Sequence, residues 1–208
     1  MTIAVRVSYH QCGNMLRVIS GKAKGHQLKV PRGTIVRPAT DLVRGAIFSI
    51  LENISGDWAQ VLDLFAGSGA LGIEALSRGA GWVDFVDRER RCCDIIRQNL
   101  EKTKLGAQAH VYCCGAAKAL SFLDKEYDII LMDPPYSDSS IGKLVEQLAT
   151  SRLVGTDSVV VVTHSPRLSL DSAYGTLNLT NTAVTVIVVL QYTERRARFD
   201  DSDLPGCL

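Results

Sequence analysis

A short stretch from Asp63 to Gly72 combines a carboxylate with glycines at a spacing that suits a nucleotide ligand. It reads DLFAGSGALG, so that Gly67, Gly69 and Gly72 satisfy G-x-G-x-x-G between an apolar run and a helical pattern. Asp87 ends the next apolar run, about 20 residues after Gly67. Such glycines allow a tight turn and a close backbone approach, and the acid can accept hydrogen bonds from ribose hydroxyls. The stretch predicts a nucleotide-binding turn, for NAD or for S-adenosylmethionine.

The carboxylate of Asp63 bears on the choice between these two ligands. A negative charge beside the turn would repel a pyrophosphate, whereas it favours the ammonium group of a methionine moiety. This charge argument favours S-adenosylmethionine. The alternative that Asp63 only caps the turn stays open, because such local hydrogen bonds are common.

A second motif, DPPY at Asp133 to Tyr136, follows the apolar run IILM. The prolines Pro134 and Pro135 stiffen the turn and lack an N–H, which leaves carbonyl oxygens available as acceptors. Asp133 offers a further acceptor, and Tyr136 offers an aromatic face for stacking. Acceptors beside a stacking face suit the exocyclic amine of a nucleobase, so these four residues are the predicted catalytic group.

Strand and helix patterns alternate from Gln60 onward, which predicts a mostly parallel sheet with helices on both faces and a ligand site outside the carboxyl ends of the strands. The predicted strands are VLDLF, WVDFV, AHVYC, YDIILMD and SVVVVTH, followed by two extended segments that end in AVTVIVVLQY. The predicted helices cover Ser68 to Ser77, Glu89 to Lys104, Ala116 to Leu123 and Ile141 to Leu148. Before this unit, Leu16 to Val30 predicts a β-hairpin, and the residues after Pro38 predict a helix.

Composition limits the class of protein. The chain has 208 residues, 46% hydrophobic content and a net charge of +1, which suits one compact domain with appendages. Its longest apolar runs, Val159 to Val162 and Val184 to Leu190, are far shorter than the roughly 18 residues that a membrane helix needs. Residues 1–14 lack an apolar leader segment. We expect a cytoplasmic protein without a membrane association.

The six cysteines and four histidines have neither a zinc-binding nor a redox spacing. We therefore expect reduced cysteines and no metal site.

The basic residues are unevenly distributed along the chain. Between Met15 and Gly45 a single acid, Asp41, accompanies seven basic residues, namely Arg17, Lys22, Lys24, Lys29, Arg32, Arg37 and Arg44. This local charge suits a phosphate backbone.

With DLFAGSGALG as the cofactor turn and DPPY as the amine motif, the chain resembles the class I S-adenosylmethionine methyltransferases. MLRVISGKAKG, RPATDLVR, DLFAGSGALGIEALSRGA and DPPY, in this order, resemble more closely the bacterial methyltransferases that modify guanine N2 in 16S ribosomal RNA. The similarity extends from Met15 to Tyr192. It implies a Rossmann-like seven-stranded sheet, S-adenosylmethionine as cofactor, and a monomer that acts on 16S RNA within the 30S subunit or an assembly intermediate.

The resemblance also assigns residues to the two ligands. The cofactor residues are Asp63, Phe65, Ala66, Gly67, Ser68, Gly69, Asp87, Arg88, Gly115 and Ala116. The RNA-binding residues are Arg17, Lys22, Lys24, Lys29, Arg37 and Arg44. The chain departs from the family pattern R-P-T-x-D-R-V-R-E at Ala39, Leu42 and Gly45, and it reads Asp87-Arg88-Glu89 where the family favours Glu-x-Asp.

These patterns divide the chain into four segments and leave other functions open. We expect a disordered extension over 1–14, a basic hairpin and helix over 15–55, a methyltransferase domain over 56–195 and a tail over 196–208. A chain that starts at Met15 should keep its activity. The alternatives are DNA adenine-N6 methylation, a non-catalytic RNA-binding protein with a vestigial cofactor fold, and an NAD-dependent oxidoreductase, for which DPPY has no use.

Overall fold

The computed structural model describes residues 16–31, 41–54, 58–135, 138, 140–164, 173–175, 177–184 and 187–192. Strands and helices alternate through most of this range. The strands are β1 Gln60–Asp63, β2 Trp82–Asp87, β3 Ala109–Cys113, β4 Tyr127–Met132, β5 Val154–Thr163, β6 Ala173–Tyr174, β7 Leu177–Val184 and β8 Ile187–Tyr192. The helices are α1 Asp41–Ile54, α2 Ala70–Arg78, α3 Arg90–Thr103, α4 Ala116–Phe122 and α5 Ile141–Ala149, with a short 3-10 helix at Gly106–Gln108.

All of these strands belong to one sheet, in the order β3-β2-β1-β4-β5-β8-β7-β6. The five strands β3, β2, β1, β4 and β5 are parallel to one another, and β8, β7 and β6 continue the sheet in antiparallel pairs. The chain order reverses between β1 and β4, and at such a point the carboxyl ends of the strands form a crevice. The Rossmann-like prediction is therefore confirmed, and a ligand site is expected in this crevice.

The strand count differs from the prediction of seven, because the described part of the chain contributes eight strands to the sheet. The additional strand is β6, which has two residues and pairs only with β7. A strand this short has no alternating or apolar run, so its existence depends on the neighbouring edge and not on its own sequence.

The two faces of the sheet carry separate halves of the core. Alternate side chains of β1, β4 and β5 point to opposite faces, as Val61 and Leu62 illustrate. One face packs against α1, α2, α3 and the segment 16–31. The other face packs against α4 and α5. Helices thus cover both faces, as the sequence predicts.

The segment 16–31 forms a short β-hairpin, as the sequence predicts: the N–H of Val18 donates to the carbonyl of His26 at 3.0 Å, and the N–H of Leu28 donates to the carbonyl of Leu16 at 2.8 Å. It contains a single antiparallel bridge, between Arg17 and Gln27. The backbone N–H groups of Ile19 and Ser20 donate to the carboxylate of Glu74 in α2, over 2.7 and 2.9 Å. A buried acid of α2 therefore satisfies two backbone donors next to the turn of the hairpin and ties the hairpin to the helix.

Among the described residues, no helix has the length and hydropathy needed to cross a bilayer. In the same part of the chain, no group of His, Cys, Asp and Glu side chains is arranged to hold a metal ion. Cys92, Cys93, Cys113 and Cys114 are free thiols. Residues 1–14, Tyr136, Arg37, Ala39 and the segment 196–208 lie outside the described residues.

Candidate functional site

A cavity of about 470 Å³ opens at the carboxyl ends of β1, β2 and β4, where the chain order reverses. Its volume is within the range of roughly 300–1,000 Å³ that is typical of small-molecule sites. Most of the predicted cofactor residues line it, namely Phe65, Ala66, Gly67, Ser68, Asp87, Arg88, Gly115 and Ala116. Asp63 and Gly69 do not line it. The structure thus brings the glycine turn, the end of β2 and the start of α4 to one cavity.

The glycine turn owes its shape to two left-handed residues. Gly67 has φ 55° and Gly69 has φ 78°, a conformation that other residues rarely adopt. A Cβ added to Gly67 would meet only the carbonyl oxygen of Phe65, at 4.0 Å, so the backbone is open to a ligand on this side. A Cβ on Gly69 would press on Ile96 and Ile73, at 3.2 and 3.3 Å. Gly69 therefore serves helix packing at the start of α2.

The carboxylate of Asp87 joins the end of β2 to the glycine turn. Its Oδ2 accepts a hydrogen bond from the N–H of Gly67 at 2.8 Å, and its Oδ1 accepts one from the N–H of Glu89 at 2.8 Å. A carboxylate oxygen has lone pairs for further donors. Asp87 thus fixes the turn and can still accept hydrogen bonds from a ligand hydroxyl in the cavity.

The carboxyl group of Asp63 lies inside the protein. Its Oδ2 accepts a hydrogen bond from the N–H of Gly72 at 3.0 Å, in the first turn of α2, and Oδ1 has no hydrogen-bond partner among the described residues. Burial raises the pKa of Asp63 to about 7, the charges of Asp133 and Asp87 act in the same direction, and the bond from Gly72 opposes them. The structure therefore favours the alternative in which Asp63 caps the turn, and it does not show Asp63 facing the cavity.

The DPPY turn follows β4 and reaches the same cavity. Asp133 and Pro135 line the cavity, whereas Pro134 is buried and does not line it. The hydroxyl of Thr163, at the end of β5, donates a hydrogen bond to Oδ1 of Asp133. Thr163 is almost fully buried, so this contact lies inside the protein. An aspartate held in this way offers a carboxylate acceptor beside the glycine turn.

Sequence reasoning missed several residues of the cavity. Val30 and Pro31 come from the N-terminal segment, Glu89 and Cys92 come from the start of α3, and Asp138 follows the DPPY turn. Only Glu89 had a local signal, because it stands two residues after Asp87. Val30 and Pro31 join the cavity through long-range packing, which leaves no mark in a local pattern.

The cavity is rich in acids. Asp87, Glu89, Asp133 and Asp138 line it, with Arg88 as the basic member of the lining. Hydrogen bonds from Ser140 hold the pKa of Asp138 below its ordinary value. Burial raises the pKa of the Cys92 thiol to about 11, so this thiol is a weak nucleophile at neutral pH. The charge distribution favours a ligand with cationic and hydrogen-donating groups over a pyrophosphate.

The predicted RNA-binding residues separate into two groups. Arg17, Lys22, Lys24 and Lys29 are exposed, with Lys22 bonded to Gln108 and Lys29 bonded to Gln98 through their Nζ atoms. Arg44 is fully buried, and its Nη2 donates to the carbonyl of Arg17 at 2.5 Å and to Asp41 at 2.8 Å. The prediction of an RNA contact for Arg44 is therefore wrong in this structure. Its helical position turns the side chain toward the N-terminal segment, and burial lowers the pKa of its guanidinium.

Comparisons with known proteins agree with this geometry. The family model described as Conserved hypothetical protein 95 matches residues 16–193. The chain is 38% identical over 168 residues to the Bacillus subtilis protein named "Putative rRNA methyltransferase YlbH", covering 79% of this chain and 91% of that one. It is 33% identical to the Escherichia coli K12 ribosomal RNA small subunit methyltransferase D, with 74% and 76% of the two chains covered. The solved structure titled "Putative methyltransferase yhhF from Escherichia coli" superposes with a TM-score of 0.75 at 28% identity, covering 86% of this chain and 98% of that one.

Proposed function

The chain belongs to the Conserved hypothetical protein 95 family and is related to methyltransferases of ribosomal RNA; we propose that it transfers a methyl group from S-adenosylmethionine to the N2 amine of a guanine in 16S ribosomal RNA. One observation carries this proposal. Asp133, an acceptor held by Thr163, lines the same cavity as the glycine turn and Asp87. An acceptor for an amine and a binding turn for a nucleoside therefore share one space.

The fit of the cofactor follows from the lining of the cavity. Gly67 leaves the backbone open to the ligand, and Asp87 lies beside it at the end of β2 with lone pairs for ribose hydroxyls. Phe65, Ala66 and Ala116 supply apolar surface for a base. The acids of the lining suit the positive charge of this cofactor, whereas they would repel the pyrophosphate of NAD. We therefore assign the cavity to S-adenosylmethionine.

The chain's own residues bind and orient the amine. S-adenosylmethionine, when bound, supplies a methyl group that is already electrophilic. The lone pair of a guanine N2 amine is delocalised into the ring, so the protein has to hold the N–H groups and direct the lone pair. Asp133, which lines the cavity, acts as an acceptor; the carbonyl of Pro134, whose residue is buried beside the lining, is the second proposed acceptor, and Tyr136 is proposed to stack on the base. As the N2–methyl bond forms, the methyl–sulfur bond breaks, and the N2 nitrogen then loses a proton. Positioning accounts for the rate in this scheme, and no covalent intermediate on the protein is needed.

The substrate has to present its base outside a stack. Sequence-specific recognition of RNA uses loops and splayed bases for this purpose. Lys22, Lys24 and Lys29 are exposed on the segment whose next residues, Val30 and Pro31, line the cavity, so phosphates bound there would flank the target base. We propose that the enzyme acts in the cytoplasm as a monomer on the 30S subunit or an assembly intermediate.

The test is methyl transfer from tritiated S-adenosylmethionine to 30S particles, naked 16S RNA and DNA. We expect incorporation into 30S particles or 16S RNA, and mass spectrometry after nuclease digestion should locate the methyl group on guanine N2. Incorporation into DNA alone would favour adenine-N6 methylation instead. Failure of calorimetry to detect binding of S-adenosylmethionine would favour the vestigial RNA-binding protein.

Two substitutions separate catalysis from cofactor binding. Asp133→Ala should lower turnover by at least about a hundredfold, as expected when a group that stabilises the transition state is removed. Its cofactor affinity should stay close to that of the wild type. Asp87→Ala should weaken cofactor binding and keep a substantial rate at saturating cofactor. Asp138→Ala, another carboxylate of the same cavity, is the matched control and should change turnover by less than about tenfold. Loss of cofactor binding in Asp133→Ala with an unchanged saturated rate would contradict the acceptor role.

A further inference from the structure

Asn99 in α3 is a fully buried amide that joins two walls of the cavity. Its Oδ1 accepts a hydrogen bond from the N–H of Lys29 at 2.8 Å, and its Nδ2 donates to the carbonyl oxygens of Lys29 at 3.0 Å and of Ser68 at 2.8 Å. Lys29 belongs to the N-terminal segment, and Ser68 belongs to the glycine turn. We propose that Asn99 is a positioning residue of the cofactor site, which holds the wall formed by Val30 and Pro31 against the glycine turn.

The chemistry of the amide suits this task. Asparagine has two N–H donors and a carbonyl acceptor, and the three bonds to Lys29 and Ser68 use both donors and the acceptor. An aspartate of the same size has no donor when ionised, so it would face two carbonyl oxygens with a buried charge. A leucine could make none of the bonds. Position 99 therefore requires the hydrogen-bond donors and the acceptor of an amide, and not only a side chain of this size.

The place of the bonds in the chain connects them to the ligand. Lys29 immediately precedes Val30 and Pro31, and both of these residues line the cavity. Ser68 lies between Gly67 and Gly69 and lines the cavity as well. Since Asn99 contacts the backbone of both segments, it fixes their separation whatever their side chains are. Asn99 itself does not line the cavity, so its influence on a ligand acts through these two backbones.

The surface of α3 offers a contrasting residue. Gln98, the neighbour of Asn99, also contacts Lys29, but through an exposed bond of 2.8 Å from Lys29 Nζ to Gln98 Oε1. That bond does not involve the backbone of the segment and does not reach the glycine turn. Gln98→Ala thus removes one hydrogen bond to Lys29 and Asn99→Ala removes two, and only Asn99→Ala should alter the cavity.

The inference rests on the proposed function only for the identity of the ligand, and the dissociation constants of S-adenosylmethionine and S-adenosylhomocysteine, measured by calorimetry, test it. We expect Asn99→Ala to raise both Kd values by about tenfold or more, because buried hydrogen bonds that hold the site are lost. Gln98→Ala should stay within about twofold of the wild type. In methyl transfer, the KM for the cofactor should rise while kcat at saturating cofactor is largely kept.

A general loss of stability has to be separated from this effect. Tyr127→Phe removes a buried hydrogen bond of 2.7 Å to Asp84 at the opposite end of β4, away from the cavity. Its Kd should equal that of the wild type although its melting temperature falls. Equal Kd increases in Tyr127→Phe and Asn99→Ala would overturn the inference. Asn99→Ser retains a polar group, as a hydroxyl, and is a milder variant in case Asn99→Ala does not fold. Its Kd should lie between those of the wild type and of Asn99→Ala.

Hydrogen exchange supplies a readout that needs no ligand. In Asn99→Ala, the amides of Lys29, Val30 and Ser68 should exchange faster, whereas amides of β4 should be unchanged. If the wild type did not bind S-adenosylmethionine, the proposed function would fail while this measurement still tested the role of Asn99. Unchanged exchange in both the segment and the glycine turn would overturn the role.

Discussion

Carboxylates end neighbouring strands at the cavity, and each has a different environment. Asp63 is buried and bonded to Gly72, Asp87 accepts two backbone N–H groups, and Asp133 accepts the hydroxyl of Thr163. Donors stabilise the ionised form of a carboxylate, whereas burial destabilises it. At the scale of single residues, Asp87 and Asp133 are the members of this trio that line the cavity, and we propose that they contact the ligands there. Asp63 supports the turn from inside the protein.

The raised pKa of Asp63 predicts a specific dependence of stability on pH. Burial raises this pKa from its ordinary value of 3.8 to about 7, so the folded state binds more protons than the unfolded state between these values. The contribution of Asp63 to stability is therefore complete below pH 4, falls as the pH rises toward 7 and is constant above it. Asp63→Asn should not show this loss. As the pH rises from 5 to 8, the unfolding free energy of the variant should therefore increase by about 2–3 kcal/mol relative to that of the wild type.

Urea unfolding of both proteins at these two pH values measures the effect, since other titrating groups cancel in the difference. Asp94→Asn, an exposed residue paired with Arg97 on α3, is the control and should show no comparable change. A constant difference in unfolding free energy between Asp63→Asn and the wild type at the two pH values would show that Asp63 stays ionised in the folded protein.

At the scale of the elements, local patterns predict the regular part of the fold well. Predicted and observed bounds agree within about two residues for α2 to α5, because apolar periodicity and bounding glycines are local signals. The ligand crevice could also be predicted, since it follows from the alternation of strands and helices.

What the sequence does not reveal depends on contacts between distant segments. Glu74, Thr163 and Asn99 act through hydrogen bonds to residues at least 30 positions away. The burial of Arg44 has the same origin, because its partner Arg17 lies in another segment. A polar residue within a helix reads as solvent-exposed unless the neighbouring element is known. Sequence reasoning therefore places the cavity and misses the residues that support it.

The exposed lysines of the N-terminal segment predict a salt-dependent binding of RNA. Replacing Lys22, Lys24 and Lys29 by Ala should weaken RNA binding and reduce the slope of log K against log salt by about 2–3, since each phosphate contact contributes roughly 0.7–0.9. Cofactor affinity should not change, because none of these side chains lines the cavity.

Filter binding over a series of salt concentrations measures the slope. Replacing the exposed residues Lys102, Lys143 and Arg152, which lie outside the segment and the cavity, gives a variant with the same change of charge. Its slope should remain near that of the wild type. If the slope of log K against log salt fell equally in both variants, RNA binding would depend on the net charge of the protein and not on this segment. If the variant of Lys22, Lys24 and Lys29 lost as much affinity for the cofactor as for RNA, the segment would have a structural role.

At the scale of the whole molecule, the N-terminal segment and α1 share one core with the sheet. Leu16, Val18 and Leu28 of the segment are buried in the same cluster as α1, α2 and one face of the sheet. Glu74 and Asn99 add hydrogen bonds between the segment and the helices of that face. We propose that the residues described within 15–55 do not form a separate folding unit, although they carry the basic surface.

This arrangement predicts one cooperative unfolding transition, which a single buried leucine can report. Leu28→Ala removes a side chain from the shared core and should lower the unfolding free energy by about 2–4 kcal/mol, as large-to-small substitutions in cores do. Because the core is shared, the whole calorimetric transition should move to lower temperature, with equal calorimetric and van't Hoff enthalpies. Gln27→Ala, the exposed neighbour, should leave the melting temperature nearly unchanged. A second, earlier transition in Leu28→Ala, with the main one in its original place, would instead mean that the segment folds and unfolds independently of the sheet.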